Sequence, residues 1–90
     1  MEIEYLLIGH GMDGQIKHFD YPNEKLFVTE VHVEAAGSGA KGRPVKFFNV
    51  HHVNYDGSIY AVAIARSCSD AEVLRFIADS GVKPIPESLL

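Results

Sequence analysis

A two-stranded hairpin between residues 45 and 66 constrains this chain more than any other segment. Asp56-Gly57 separates two β-rich segments, residues 45–55 and 58–66, and an Asp-Gly pair favours the positive φ angles of a type I′ turn. With these two residues as the loop, the register pairs Tyr55 with Ser58 and continues as Val53 with Tyr60, His51 with Val62, Asn49 with Ile64 and Phe47 with Arg66. The opposite face carries Phe48, Val50 and His52 against Ala65, Ala63 and Ala61.

The second strand of this hairpin is apolar on both faces, which predicts a central strand in a sheet that is covered on both sides. One face has the large side chains of Tyr60, Val62 and Ile64, and the other has mainly alanines. We expect a helix to pack closely over the alanines. The face with Val62, Ile64 and Phe47 is then left for the N-terminal hairpin or for another chain. We favour another chain, and so predict a homodimer.

The first third of the chain is typical of three further strands. Residues 3–8 form an apolar run that ends in a glycine-rich turn, residues 15–19 return, and Asp20-Tyr21-Pro22-Asn23 supplies the next reversal. A period-2 pattern over residues 27–35 then predicts a half-buried strand. It assigns Phe27, Thr29, Val31, Val33 and Ala35 to one face, and Glu30, His32 and Glu34 to the outer face.

One helix is indicated near the C-terminus. Ser69 followed by Asp70, Ala71 and Glu72 is a capping box, and Gly81 ends the helix. The expected apolar stripe is Val73, Leu74, Phe76 and Ile77, with Arg75 and Asp79 facing water.

These elements predict an α+β fold, an antiparallel sheet of four to five strands with one C-terminal helix packed on one face. The 90 residues suit a single domain, which we place at residues 1–83, followed by an extended tail at 84–90. Apolar residues make up 47% of the chain and charged residues 22%, which is ordinary globular usage and excludes a disordered or fibrous class.

Charge and cysteine content limit which partners and which cellular compartment suit this chain. The net charge is −4, so the surface repels phosphates in general and suits a basic protein partner better than nucleic acid. The acidic start of the chain, the lone Cys68 and the lack of a long apolar run predict a cytoplasmic protein with no membrane association.

Five histidines are the unusual feature of the composition. His51 and His52 are adjacent in a strand and point to opposite faces, so they do not form a metal site, and we predict no metal and no cofactor. His51, Tyr55 and Tyr60 lie on one predicted face, where imidazole and aromatic rings suit contact with a partner.

Two other clusters are candidates for binding or catalysis. In the Gly9 to Gly14 turn, His10 could act as a general base and Asp13 could orient it. No nucleophile is near in sequence, so we favour the simpler interpretation that the glycines are there because the turn needs positive φ angles. Lys41 and Arg43, with Lys46 and Phe47, are typical of a surface for single-stranded nucleic acid or a phosphorylated ligand. Phe47 and Phe48 point to opposite faces, so at most one ring is available.

The segment Tyr5-Leu6-Leu7-Ile8-Gly9-His10-Gly11-Met12-Asp13-Gly14-Gln15 resembles the start of small uncharacterised phage-encoded proteins, which open with a strand and a Gly-Gly-Pro-x-Asp-Gly-like turn. His10 and Gly11 stand in place of the Gly-Pro part. The resemblance covers about a tenth of the chain. It implies a phage or prophage accessory protein that binds a host protein, and it carries over no activity and no functional residue.

We therefore expect a non-enzymatic inhibitor or adaptor that binds a host or phage protein, with His51, Tyr55, Tyr60, Lys41, Arg43 and Phe47 as binding residues. The alternative is a protein that binds a small ligand or nucleotide, or hydrolyses it, using the glycine-rich loops with His10, Asp13, His51 and His52.

Overall fold

Five strands form one mixed sheet in the residues that the computed structural model describes, 1–29 and 45–90. The strands are β1 (Glu2–Ile8), β2 (Gln15–Asp20), β3 (Lys25–Thr29), β4 (Val45–Tyr55) and β5 (Ser58–Ile64). They are followed by helix α1 (Asp70–Ser80) and a short 3₁₀ turn at Glu87–Leu89. The order across the sheet is β2-β1-β5-β4-β3. The α+β class and the central position of β5 are confirmed.

The prediction of a purely antiparallel sheet is wrong, because β1 and β5 run parallel, from Tyr5 beside Ala61 to Ile8 beside Ile64. Each of these strands is antiparallel to its own hairpin partner, β2 and β4 respectively. Both are rich in apolar residues on both faces, so burial places them together at the centre of the sheet. Local turn chemistry sets the direction within each hairpin, and it leaves the direction between the hairpins open.

The predicted register of the β4–β5 hairpin is confirmed from Tyr55 opposite Ser58 to Asn49 opposite Ile64. Asp56 and Gly57 have φ angles of 51° and 81°, as a type I′ turn requires. The two expected pairs farthest from the turn, Phe47 with Arg66 and Phe48 with Ala65, lie beyond this ladder. There the amide of Ala65 donates instead to the carbonyl of Ile8 in β1, over 2.8 Å.

Helix α1 packs on the face with the large side chains, which corrects the expectation that it covers the alanines. Val73 and Ile77 of α1 form a buried cluster with Leu6, Ile8 and Val62 of the sheet and with Val82 beyond the helix. The predicted homodimer depended on an uncovered Val62 face, and this face lies under the chain's own helix.

The alanine face is the inner face of the sheet, which curls into a half-barrel. Ala61 and Ala63 share one buried cluster with Tyr5, Leu7 and Phe48. Leu26 and Val28 of the far strand β3 join the same cluster, which shows how strongly the sheet closes on itself. The inside of a tightly curved sheet has little room, and small side chains beside a few large rings fill it at the usual packing density.

In β3, the buried positions are the reverse of those predicted. Leu26 and Val28 are buried, whereas Phe27 is 61% exposed. Residues 30–35 of the predicted 27–35 strand lie outside the described residues.

The helix ends are as predicted. The Ser69 hydroxyl accepts from the amide of Glu72, the Glu72 carboxylate accepts from the amide of Ser69, and Gly81 is left-handed. After the helix, the C-terminal segment packs along the sheet: the amide of Ile85 donates to the carbonyl of Ile59 over 2.8 Å, and the Ile85 side chain is buried in the inner cluster. No helix in residues 1–29 and 45–90 is both long enough and apolar enough to cross a lipid bilayer.

Candidate binding surface

Helix α1 covers the β1–β5 part of the outer face of the sheet and leaves side chains of β3 and β4 exposed. Phe27 of β3 is 61% exposed and Phe47 of β4 is 36% exposed. The other exposed large apolar side chains among the described residues are Met1 and Leu90, which are the two chain ends. In the part of the chain that the structure describes, the two phenylalanines are therefore the exposed large apolar groups held in place by regular structure.

Phe27 and Phe47 are direct cross-strand neighbours. Their ring centroids are 5.3 Å apart with a tilt of 56° between the planes, a close aromatic pair. The Lys25 ammonium lies 5.3 Å from the centroid of the Phe47 ring, within the range of a cation–π contact. We call Lys25, Phe27 and Phe47 the aromatic patch.

Two grooves continue from the aromatic patch towards the helix. The smaller, of about 320 Å³, is lined in part by Phe47, Asn49, His51 and Arg66. The larger, of about 640 Å³, lies between β4 and the start of α1, and His51 and Arg66 line it as well. Patch and grooves thus share residues and form one elongated surface.

Arg66 is held at the border of both grooves by two carboxylates. Its Nη2 donates to Asp13 Oδ2 over 2.9 Å and to Glu72 Oε2 over 3.4 Å. The hydrogen bond from Arg66, followed by the one from the Gly9 amide, lowers the pKa of Asp13, and the pair with Asp13 raises the pKa of Arg66. All three side chains are partly exposed, so water screens these interactions.

The structure separates the binding residues predicted from the sequence. Phe47 and His51 lie on the surface just described, both on the outer face of β4. Tyr55 and Tyr60 contact each other with ring centroids 6.1 Å apart, and they pack half-buried against the helix-side core. Lys41 and Arg43 are outside the described residues.

His10 and Asp13 have separate partners. The His10 ring lies edge-on to Phe48, and its Nε2 is 3.1 Å from the carbonyl oxygen of Phe47. Asp13 accepts from the Gly9 amide over 2.6 Å and from Arg66. Neither carboxylate oxygen of Asp13 is shown bonded to His10.

Adjacent strand residues point to opposite faces here as expected. His51 is opposite Val62 on the helix side, and His52 is opposite Ala61 on the inner side, where its ring lies 6.0 Å from that of Tyr21. Phe48 is fully buried and Phe47 is exposed, which confirms that at most one of that pair is available. Within residues 1–29 and 45–90, no three His, Cys, Asp or Glu side chains are grouped to hold a metal ion.

Sequence reasoning missed Lys25, Phe27 and Arg66 as surface residues. The run Leu26-Phe27-Val28 is apolar at three successive positions, so period 2 alone does not identify the buried face. The useful signal is the pairing of β3 with β4, in which Phe27 faces Phe47 and Leu26 faces Phe48. Phe47 shares its face with Asn49 and His51, and two polar neighbours mark that face as the exposed one.

In comparison with known proteins, no family model, no curated protein and no solved structure matches the chain.

Proposed function

We propose that this chain is a non-enzymatic protein, an inhibitor or adaptor, that binds another protein through the aromatic patch and its two grooves. The observation that supports the proposal best is the exposed contact between Phe27 and Phe47. Burying the exposed parts of both rings against a partner would contribute up to roughly 4 kcal/mol. Aromatic groups at the centre of a patch with polar side chains around it are the usual arrangement in protein interfaces.

Ligand binding or hydrolysis by the histidines is less well supported. Such a site needs several polar groups that converge on one reacting atom. The hydrogen bonds of Asp13 go to Gly9 and Arg66 and do not orient His10. His51 and His52 point to opposite faces of β4. The arrangement favours a contact surface over a catalytic centre.

The experiment is affinity capture from a lysate of the cells that make the protein, with a double variant, Phe27→Ser with Phe47→Ser. The control is Leu90→Ser, which removes another exposed apolar group at the end of the chain. We expect wild type and Leu90→Ser to retain the same protein, and the double variant to lose it. Circular dichroism and thermal unfolding check that the double variant is folded.

Light scattering on the same three proteins tests whether the partner is a second copy. A dimer mass that is lost in the double variant would identify a second copy as the occupant. Equal capture and equal mass for all three proteins would overturn the proposal, because the patch would then contribute nothing to association.

A further inference from the structure

The aromatic patch contains a cation, Lys25, although the chain as a whole carries a net charge of −4. Lys25 lies over the Phe47 ring, and Arg66 lines both grooves. Among the described residues, no carboxylate lines the smaller groove and Asp70 lines the larger one, while Asp13 and Glu72 pair with Arg66 at the border of both. The cation that a partner segment meets at the patch is therefore Lys25, because the charge of Arg66 is offset by its two carboxylates.

Lys25 and Arg66 differ in how much of their charge is available. Arg66 is already engaged by Asp13 and Glu72, so a further carboxylate gains less there. The Lys25 ammonium sits beside an aromatic ring, where an approaching carboxylate would lie next to exposed apolar surface. The site nearest to Lys25 thus suits a carboxylate and an apolar side chain close together.

The ring geometry decides between a peptide and a single-stranded nucleic acid. Base stacking needs an open ring face and a series of cations that follow the phosphates. The Phe47 ring is contacted by Lys25 and, at a tilt of 56°, by Phe27, so the patch presents one open ring, Phe27, and one cation rather than a series. The net charge of −4 also opposes a polyanion such as nucleic acid, whereas a single carboxylate on a peptide matches the one cation of the aromatic patch, Lys25.

We infer that the occupant of the patch and grooves is a partner segment that combines large apolar side chains with carboxylates. This inference rests on the proposed function and specifies its partner. The apolar groups would cover Phe27 and Phe47, and a carboxylate would pair with Lys25.

The test is selection from a random peptide library displayed on phage, using the wild-type protein as bait and the Phe27→Ser, Phe47→Ser protein to remove unrelated binders. We expect enriched peptides to combine large apolar residues with Asp or Glu. The best peptide, carrying a fluorescent label, is then measured against Lys25→Glu. Affinity should fall about threefold to tenfold, the effect of reversing one exposed charge in an interface.

Lys17→Glu is the matched control, because it makes the same charge change on β2, at the other edge of the sheet. It should leave peptide affinity unchanged. A labelled oligothymidylate, titrated against the same proteins, is expected not to bind.

Each other outcome overturns the inference in a distinct way. If the enriched peptides lack acidic residues, or if they bind Lys25→Glu with the same affinity as wild type, the inferred partner chemistry is wrong. The proposed function is still supported in that case when capture of a protein depends on Phe27 and Phe47. If no peptide is enriched but a protein is still captured through the patch, the occupant is not a short segment. If oligothymidylate binds and the Phe27→Ser, Phe47→Ser protein loses it, both proposals fail.

Discussion

Arg66 donates to Asp13 over 2.9 Å and so joins the chain just beyond β5 to the glycine-rich turn after β1. The other oxygen of Asp13 accepts from the amide of Gly9. Arg66 also reaches Glu72, which completes the capping box of α1. A single guanidinium therefore connects the turn, the sheet and the helix at the border of the two grooves.

The Asp13→Asn variant should be less stable than wild type at neutral pH, and this difference should shrink in acid. The pKa of Asp13 is lowered in the folded state, so its charge stabilises the fold above the ordinary aspartate pKa of about 4. That contribution is lost as pH falls through the lowered pKa. An asparagine oxygen still accepts from Gly9, so the variant removes mainly the ion pair. Urea unfolding between about pH 7 and pH 3 measures the effect.

The control for that series is Asp79→Asn, an exposed carboxylate on α1. The free energy of unfolding of this variant should differ less from that of wild type between about pH 7 and pH 3. A pH-independent deficit in Asp13→Asn would show that the ion pair is not its source.

Gly9→Ala should be strongly destabilising. Gly9 has a φ of +114°, and an added Cβ would lie 2.8 Å from the Cβ of Ala65 and 3.1 Å from its carbonyl carbon. Because the obstacle includes backbone of the neighbouring segment, we expect a loss of about 2 to 4 kcal/mol. The free energy of unfolding from urea titration measures it.

Gly11→Ala is the matched control in the same turn. Its φ is +74° and nothing lies within 4 Å of the added carbon, so the cost should be about 1 kcal/mol, for the backbone conformation alone. Equal losses in the two variants would contradict the close approach of Gly9 to Ala65.

Ser69→Ala should reduce stability by about 1 kcal/mol. The Ser69 hydroxyl accepts from the Glu72 amide over 3.2 Å, and removing such an N-cap leaves a helix donor without its partner. Ser67→Ala, two residues earlier and outside the capping box, should cost much less. Thermal unfolding of both variants makes the comparison, and a larger loss for Ser67→Ala would count against the cap.

Ile85→Ala should cost about 2 to 4 kcal/mol, because the side chain is 3% exposed within the inner cluster and its truncation leaves a cavity. The backbone bond to Ile59 is available to alanine as well, so the loss reports packing. Leu90→Ala, at an exposed position, should be nearly neutral. If Ile85→Ala were also neutral, the C-terminal segment would not be part of the core.

The hairpin and the helix were predictable because their determinants are local. Asp56-Gly57 specifies a two-residue turn, and the period of two along β4 and β5 then fixes which residues are opposite each other. The residues that cap the two ends of α1, namely Ser69, Glu72 and Gly81, lie within one short segment. None of these predictions needed a contact between distant parts of the chain.

The candidate surface was only half predictable. Phe47 and His51 were assigned to one face of β4, and in the structure both line the smaller groove of the candidate surface. Phe27 was assigned to the buried face of its strand. The run Leu26-Phe27-Val28 is apolar at three successive positions, so the alternation of buried and exposed residues can be placed in two ways. Its exposure follows from its position opposite Phe47 in the β3–β4 pair.

Which face of the sheet each element covers was decided by tertiary structure. Ala61 and Ala63 suggest a close helix, yet they lie inside the curled sheet, and α1 packs over Val62 instead. Small side chains suit any close approach, so they do not tell a helix from the opposite wall of a half-barrel. Likewise, the parallel pairing of β1 with β5 depends on two apolar strands meeting at the centre.

The amino-acid sequence by itself determined the strands next to tight turns, the register across Asp56-Gly57 and the limits of α1, because hydrogen-bonding and φ preferences act over a few residues. Only the tertiary structure decided the direction of β1 against β5, the placement of the helix and the exposure of Phe27. These depend on how distant apolar surfaces share a limited interior, and that competition has no local signature.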